Sequence, residues 1–375
     1  MFKERKDTIT TMGSNGNAGL NMSVKSSIND LMNNTPLYRL RNIEKKLNLK
    51  AGVYLKLENY NPLGSIKDRA TLYMIERAIE KGLINDDTTL LEATSGNTGI
   101  ALAGICASKK LKCVIAMPES FSIERIKLLK QLGCRVVLTA KEKGMRGAIE
   151  FINKLSKETD NSFILNQFEN EDNLLCHYYL TSKEIIDDLD KKVDIFVSGI
   201  GSGGTIMGCS KRFKDDGLNT FVIGIEPEEA SVISSNKRGI HKIQGIGAGF
   251  IPKLIDLTYI DKIETVEYSE CIEACKLLAK EEGILAGISS GANLSVALKY
   301  ASLESNREKN IVSIVVDSAF KYLSSDLFEW FLIRLFTLFW KSGKIYISLK
   351  IEKEVVLWQK KQNSLIKWWI HLLKN

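Results

Sequence analysis

A nearly unbroken alternation of strand-like and helix-like stretches, from Gly52 to about Val316, limits the possible folds of this chain more than any other feature. The β-branched, apolar runs are Gly52–Leu57, Thr89–Ala93, Lys112–Met117, Arg135–Thr139, Asp194–Ser198, Thr220–Ile225 and Ile311–Val316. The stretches between them that have helical character include Gly99–Ser108, Ser122–Leu132, Gly147–Lys157 and Cys271–Glu282. This alternation predicts an α/β fold with largely parallel sheets flanked by helices. Two such sheets facing one cleft suit a chain of 375 residues.

One lysine stands where a loop enters a helix. The loop is residues 61–69, NPLGSIKDR, and apolar residues follow at helical spacing from Ala70 to Ala78. The positive end of that helix and the neighbouring Arg69 both favour the neutral, nucleophilic amine of Lys67. Such an amine suits Schiff-base chemistry. Taken alone, the segment favours an ordinary solvated surface lysine over a catalytic one.

A first glycine-containing turn, residues 94–99 (TSGNTG), lies between a predicted strand and a predicted helix. Its backbone N–H groups, the hydroxyls of Thr94, Ser95 and Thr98, and the amide of Asn97 suit a small carboxylate. The alternative is a plain strand-to-helix turn with a hydroxyl N-cap.

A second turn, residues 199–205 (GIGSGGT), contains the pattern G-x-G-x-x-G. With Glu226 at the end of the next strand, it resembles a dinucleotide site. Its crowded N–H and hydroxyl donors also suit a single terminal phosphate, and Lys67 favours that alternative. Glycines recur at residues 244–250 and 287–292, which indicates a backbone that passes close to a ligand or to another chain, with a flexible loop as the alternative.

Charge and residue content exclude several other functions. From residue 328 to the end, nine Lys/Arg residues against three Glu supply +6 of the net charge of +7, so the remainder gives no argument for nucleic-acid binding. The seven cysteines form no C-x-x-C pair and are expected to be free thiols. With three histidines, neither a metal cluster nor a histidine triad is expected. Acid–base chemistry is therefore assigned to lysine or a carboxylate.

The two ends of the chain differ from the alternating region. Residues 1–22 are polar, without an apolar core, and are expected to be a disordered leader. Residues 328–375 contain all five tryptophans, interleaved with lysine, but no run long enough to span a bilayer. This tail is interpreted as a shifted reading frame or a lineage-specific extension, and the alternative is an interfacial helix.

Taken together, the motifs between Ser27 and Phe328 resemble the cysteine synthase (O-acetylserine sulfhydrylase) family, whose relatives include cystathionine β-synthases. The matching segments read NTPL, NPLGSIKDRA, TSGNTGIALA, MPESFSIERIKLLKQLG, NQFEN, GIGSGGTIMG, HKIQGIGAGFIP and EEGILAGISSGA. The resemblance implies the two-domain type II pyridoxal-phosphate fold (tryptophan synthase β-like), with the active site in the interdomain cleft. The implied domains are 23–160, which carries the reactive lysine, and 161–327, which carries the phosphate loop.

The resemblance also implies roles for individual residues. Lys67 would form the imine with pyridoxal 5'-phosphate, and Asn97 would bond the hydroxyl of the cofactor ring. The residues implied to hold the phosphate are Gly201, Ser202, Gly203, Gly204 and Thr205. Those implied to bind the substrate carboxylate are Thr94, Ser95, Asn97, Thr98 and Gln167.

The implied reaction is a β-replacement that converts O-acetyl-L-serine and sulfide into L-cysteine and acetate through an aminoacrylate intermediate. Lys67 would serve both as the tether and as the base for the α-proton. Related alternatives are the conversion of cysteine to hydrogen sulfide and serine, and cystathionine formation. The resemblance further implies a cytoplasmic homodimer whose cleft accepts the C-terminal peptide of serine acetyltransferase.

One segment departs from the family pattern. Where the family has P-S-x-G-E-R-Y-L-S or P-D-S-G-E-R-Y-L-S, residues 316–324 read VDSAFKYLS. Ser318 is predicted to face the pyridine nitrogen. Because its hydroxyl is neutral, it would keep the ring a weak electron sink. Asp317 is the alternative, and its charge would favour a protonated ring. This departure and the tail leave a second class open, namely a catalytically impaired, cofactor-binding protein that acts through partners.

Overall fold

The computed structural model describes residues 24–94, 96–119 and 123–328. The predicted leader, the site residue Ser95 and all but the first residue of the predicted tail lie outside these ranges. The described residues up to Ser318 belong to one compact unit, and those from Ala319 onwards belong to a second, which begins with a 3-10 helix at Ala319–Tyr322.

The strands and helices follow one another largely as the alternating pattern predicts. The strands are β1 Leu37–Arg39, β2 Gly52–Leu57, β3 Thr89–Ala93, β4 Lys112–Pro118, β5 Arg135–Thr139, β6 Ser162–Ile164, β7 Ile195–Gly199, β8 Phe221–Pro227, β9 Lys262–Val266 and β10 Asn310–Val315. The helices are α1 Arg41–Leu47, α2 Lys67–Glu80, α3 Asn97–Lys109, α4 Ile123–Gln131, α5 Gly144–Lys157, α6 Glu171–Cys176, α7 Ser182–Asp188, α8 Gly204–Asp215, α9 Val232–Ser235, α10 Tyr268–Glu282 and α11 Ile288–Ala301. A π-helical turn, His177–Thr181, joins α6 to α7.

The strands form two sheets. The larger has the order β1-β2-β10-β7-β8-β9, and the smaller has the order β5-β4-β3-β6. Every pairing is parallel except that of β1 with β2. The predicted α/β class, with parallel sheets flanked by helices, is confirmed. The sheets do not follow chain order, because β2 pairs with β10 and β3 pairs with β6. The division of the chain at residue 160 stays a prediction.

The strands are apolar along their length because both faces of each sheet are covered. In β3, Leu90 packs into the core that contains α2 and α3, whereas Leu91 packs on the opposite face against Ile152 of α5. In the larger sheet, Phe196 of β7 packs edge-on against Phe213 of α8. The loops at the ends of these strands are thereby fixed by three clusters of buried apolar side chains. Within the described residues, no helix is both long enough and apolar enough to cross a bilayer.

Candidate active site

Lys67 is the first residue of α2, and the loop before it is tied down by hydrogen bonds. The N–H of Ile66 donates to the carbonyl of Val316 (2.9 Å), at the end of β10. The carboxylate of Asp68 accepts from the N–H of Leu63 (2.7 Å), which closes the turn. These contacts fix the start of the helix and so restrict the position of the lysine backbone.

The amine of Lys67 is partly neutral near physiological pH. Burial lowers its pKa to about 8, and the nearby Cys176 opposes that shift. The predicted contribution of Arg69 is wrong, because its guanidinium is buried between two carboxylates. It donates to Glu58 (2.6 Å) and to Glu184 (2.7 Å), which compensate its charge. Desolvation, rather than a neighbouring cation, therefore makes the lysine nucleophilic.

The turn at residues 94–99 leads from β3 into α3, as predicted. Thr94 is buried, and its hydroxyl accepts from the N–H of Gly96 (3.3 Å). The hydroxyl of Thr98 donates to the side-chain oxygen of Gln167 (2.8 Å), 69 residues away in the chain. The structure thus brings Thr98 and Gln167 together, and their role in carboxylate binding stays a prediction.

The loop that carries Gln167 is held by a buried acid of the same sheet. Glu92 of β3 accepts from the N–H of Asn166 (3.1 Å). Burial raises the pKa of Glu92 to about 7, against the effect of that N–H. Asn166 has a left-handed backbone (φ 51°), a conformation that asparagine tolerates better than most residues.

The side chain of Asn97, at the start of α3, contacts the segment that departs from the family pattern. Its Nδ2 donates to the carboxylate of Asp317 (2.8 Å), and Asp317 is fully buried. Ser318 approaches the lysine loop through its backbone, with its N–H 3.4 Å from the carbonyl of Gly64. The structure places both Asp317 and Ser318 next to the loop that precedes Lys67. Which of them faces a cofactor ring stays a prediction.

The second glycine-rich turn joins β7 to α8. Gly203 has φ +89°, which glycine adopts at little cost, and no described side chain caps the N-terminus of the helix. The uncapped N–H groups and the positive end of α8 suit an anion. At Gly201 a Cβ would lie 2.4 Å from the carbonyl oxygen of Gly245, so the two glycine-rich loops pack backbone against backbone. The close contact observed is with another loop of the same chain, and the predicted approach to a ligand or to another chain stays a prediction.

A neutral histidine lies between this turn and the lysine. His177 Nε2 is 3.3 Å from the hydroxyl of Thr205, and Nδ1 is 2.9 Å from that of Thr181. Burial, followed by the charges of Lys67 and Arg69, lowers the pKa of His177 well below its usual range. The ring is therefore uncharged, and it supports Thr205 by hydrogen bonding alone.

One residue beside the candidate site was not predicted from the sequence. Ser289, at the start of α11, is buried, and its hydroxyl has no hydrogen-bond partner among the described residues. A Cβ at Gly245 would lie 3.4 Å from that hydroxyl, so Ser289 adjoins the loop that packs on the turn at residues 199–205. A buried hydroxyl is costly unless something bonds it, which indicates a ligand atom. The segment GISSGA was the available signal, but it was interpreted only as a close backbone approach.

The dinucleotide alternative is contradicted. Both oxygens of Glu226 are taken up by the backbone of α9, since they accept from Ile233 N (2.8 Å) and Ser234 N (2.9 Å). The acid is buried and caps a helix. All seven cysteines are free and buried, and the described residues contain no group of His, Cys, Asp and Glu that could hold a metal ion.

Comparisons with known proteins agree with this arrangement. The family model described as pyridoxal-phosphate dependent enzyme matches residues 28–317. Cysteine synthase B of Campylobacter jejuni is 44% identical over 307 residues, which cover 82% of this chain and 100% of that protein.

Two solved structures are similar over most of the chain. The cysteine synthase of Entamoeba histolytica has a TM-score of 0.80 at 36% identity, covering 84% of this chain and 94% of that one. A hydrogen sulfide-producing enzyme of Fusobacterium nucleatum has a TM-score of 0.76 at 42% identity, covering 80% and 100%. The buried amine, the uncapped helix end and the unpartnered Ser289 hydroxyl fit a phosphorylated aldehyde with a hydrogen-bonding ring.

Proposed function

This chain belongs to the pyridoxal-phosphate dependent enzymes, and from that membership we propose that it is a cysteine synthase, which converts O-acetyl-L-serine and sulfide into L-cysteine and acetate. The observation that carries the proposal is the buried amine of Lys67 at the start of a helix. Burial lowers the pKa of this amine to about 8. The chain that contains it is 44% identical to a cysteine synthase. Its cofactor is pyridoxal 5'-phosphate.

Bound pyridoxal phosphate supplies an electron sink that acidifies the α-proton of an amino acid and eases loss of its β-substituent. Lys67 would hold the cofactor through its amine, and the same amine, when free, would accept the α-proton of the bound substrate. A pKa of about 8 keeps a useful fraction of Lys67 neutral near pH 7.5, as a general base requires.

The other cofactor contacts follow from the donors present. The N–H groups and hydroxyls of residues 201–205 would hold the phosphate at the start of α8. Asn97 would bond the ring hydroxyl. We propose that Ser289 contacts the pyridine nitrogen, because its buried hydroxyl has no described partner, with Ser318 and Asp317 as the alternatives. A neutral partner would not stabilise a protonated ring nitrogen, so the ring would be a weaker electron sink. This would favour elimination of a good leaving group.

The substrate carboxylate would be bound by Thr94, Ser95, Asn97, Thr98 and Gln167. The hydrogen bond between Thr98 and Gln167 supports this assignment, because it holds a hydroxyl and an amide side by side. Carboxylate recognition there would place the α-carbon of the substrate within reach of Lys67.

We further propose a cytoplasmic homodimer with two domains per chain, near residues 23–160 and 161–327. The proposal also extends to a cleft that accepts the C-terminal peptide of serine acetyltransferase. These assignments are supported by similarity to cysteine synthases alone. Size-exclusion chromatography with light scattering would test the dimer, and titration with the peptide would test the partner.

A second candidate function is the release of hydrogen sulfide from L-cysteine. Similarity at 42% identity to the Fusobacterium nucleatum enzyme favours it. Both reactions need the same lysine and the same residues for the substrate carboxylate. In the first, acetate leaves the β-carbon and sulfide adds to it. In the second, sulfide leaves the β-carbon and water adds to it.

The deciding experiment uses the full chain reconstituted with pyridoxal phosphate. Borohydride reduction followed by peptide mass spectrometry should label Lys67. O-acetyl-L-serine is then supplied with sulfide, homocysteine or water in turn, and L-cysteine is supplied alone. Cysteine formed at the highest kcat/KM supports the proposal, whereas faster sulfide release from L-cysteine would replace it with the second function. A protein that binds no cofactor would overturn both.

A further inference from the structure

Asn173, in α6, bonds to both halves of the candidate site. Its Nδ2 donates to the backbone carbonyl of Gln167 (2.7 Å) and to the hydroxyl of Ser202 (2.9 Å). The side chain is 1% exposed, so both hydrogen bonds are shielded from water. One amide group therefore connects a residue assigned to the substrate carboxylate with a residue assigned to the cofactor phosphate.

The chemistry of the partners fixes the orientation of this amide. The carbonyl of Gln167 can only accept, so the atom that faces it must be the NH2 group of Asn173. The NH2 group has two hydrogens, and the two acceptors use both of them. The Oδ1 atom of Asn173 points elsewhere and has no partner among the described residues.

This orientation also determines what Ser202 can do. Because its oxygen accepts from Asn173, its own hydrogen remains available for another acceptor. An anion bound at the turn would be such an acceptor. Asn173 thereby directs the Ser202 hydroxyl to donate to a phosphate rather than into the protein.

Close packing holds Asn173 in place. A Cβ at Gly204 would lie 2.3 Å from Oδ1 of Asn173, so only glycine permits this approach to the first residue of α8. The chain of contacts is then continuous. Thr98 bonds the Gln167 side chain, the Gln167 carbonyl bonds Asn173, and Asn173 bonds Ser202.

We propose that Asn173 is a positioning residue that sets the carboxylate-binding Gln167 and the phosphate-binding Ser202 relative to one another. The inference rests on the proposed function, because the proposed function assigns Gln167 to the substrate carboxylate and Ser202 to the cofactor phosphate. It predicts that one substitution weakens both ligands, although Asn173 is expected to touch neither.

The test compares full-length Asn173→Ala and Asn173→Asp with wild type. The matched control is Asn170→Ala, which removes the N-cap of the same helix and a hydrogen bond to the carbonyl of Leu165 (3.0 Å), but no described contact with Gln167 or Ser202. The readouts are the pyridoxal phosphate dissociation constant of the apoprotein, KM and kcat for O-acetyl-L-serine, and thermal unfolding. Asn173→Ala leaves the buried Gln167 carbonyl unpaired, so KM and the dissociation constant should each rise on the order of 10-fold, with kcat within about twofold.

Asn173→Asp should weaken pyridoxal phosphate further than Asn173→Ala does. A carboxylate would accept the hydrogen of Ser202 and turn it away from the phosphate, and its charge would repel the dianion. A role in folding alone predicts instead that the loss of cofactor affinity follows the loss of thermal stability across the two variants, because a buried aspartate without a cation also destabilises the fold.

The inference is overturned if Asn173→Ala changes both constants by less than twofold, if it changes them no more than Asn170→Ala does, or if Asn173→Asp binds the cofactor better than Asn173→Ala. The activity of the wild-type protein shows whether the role of Asn173 or the proposed function itself has failed. Should wild type neither bind the cofactor nor form cysteine, the proposed function fails, whereas an active wild type with unaffected variants removes the role of Asn173 alone.

Discussion

Replacement of Gly201 by alanine should separate two loops that are in backbone contact. The added Cβ would lie 2.4 Å from the carbonyl oxygen of Gly245. Gly201 does not have a left-handed backbone, so alanine can adopt its conformation, and the effect is steric. Because both sides of the contact are loop backbone, no side chain can rotate away to relieve it.

The magnitude follows from the overlap. Carbon and oxygen atoms tolerate contacts near 3.3 Å, so the loops must part by roughly 1 Å. A hydrogen bond of about 2.9 Å that is stretched by that amount is no longer one. Bonds to a charged group are worth about 1.5–3 kcal/mol each, so losing one should weaken the binding of pyridoxal phosphate roughly 10- to 150-fold. Overpacking should also cost about 1–3 kcal/mol of unfolding free energy.

The assay is the dissociation constant of pyridoxal phosphate, measured by titration of the apoprotein, with urea unfolding alongside. Gly217→Ala is the matched control, because Gly217 follows the other end of α8 with φ +73°, and a Cβ added there would meet no atom within 4 Å. It should lose on the order of 1 kcal/mol through backbone strain and leave cofactor affinity unchanged.

A folded Gly201→Ala protein that binds the cofactor within twofold of wild type would refute the reasoning. Equal losses in Gly201→Ala and Gly217→Ala would refute it too, because they would show that general destabilisation, rather than displacement of the phosphate turn, weakens binding.

Four further outcomes are expected. Lys67→Ala should lose borohydride labelling and at least about 1,000-fold in turnover. In wild type, the rate of cofactor attachment should rise between about pH 7 and 9, because the amine, with its pKa of about 8, loses its proton there; a flat stopped-flow profile would contradict the burial argument. Arg69→Met should lower the free energy of unfolding in urea by about 3–5 kcal/mol, since it leaves the buried carboxylate of Glu58 uncompensated, and adding Glu58→Gln should restore part of the loss, whereas Glu184 keeps its ion pair with Lys56 (3.0 Å). Ser289→Ala should weaken cofactor binding about 10-fold, whereas Ser318→Ala should not. The reverse result would show that Ser318, rather than Ser289, contacts the ring nitrogen.

The longer strands could be predicted from the sequence because burial on both faces makes them continuously apolar. The seven predicted strands occur within two residues of their expected ends. The three that were missed lack that signal. β1 and β6 are three residues long. β9 contains the exposed Lys262 and the buried Glu264 within five residues, so it has no continuous apolar run.

Contacts between distant residues were beyond local reasoning. The charge of Arg69 was predicted to act on Lys67, but Glu58 and Glu184 compensate it from 11 residues before and 115 residues after it in the chain. Likewise, no spacing rule indicates that Ser289 lies beside the glycines near residue 245. The nucleophile could be proposed from its own segment, whereas the groups that tune it become visible only in three dimensions.

The position of β10 has a consequence for biosynthesis. This strand lies between β2 and β7 in the larger sheet, although among the ten strands of the described residues it is the last to be synthesised. While the ribosome is still translating, β2 and β7 therefore wait with open edges, and nascent chains are exposed to pairing with one another. A message truncated before codon 310 would yield a product that cannot complete this sheet, and such a product should depend on chaperones or be degraded.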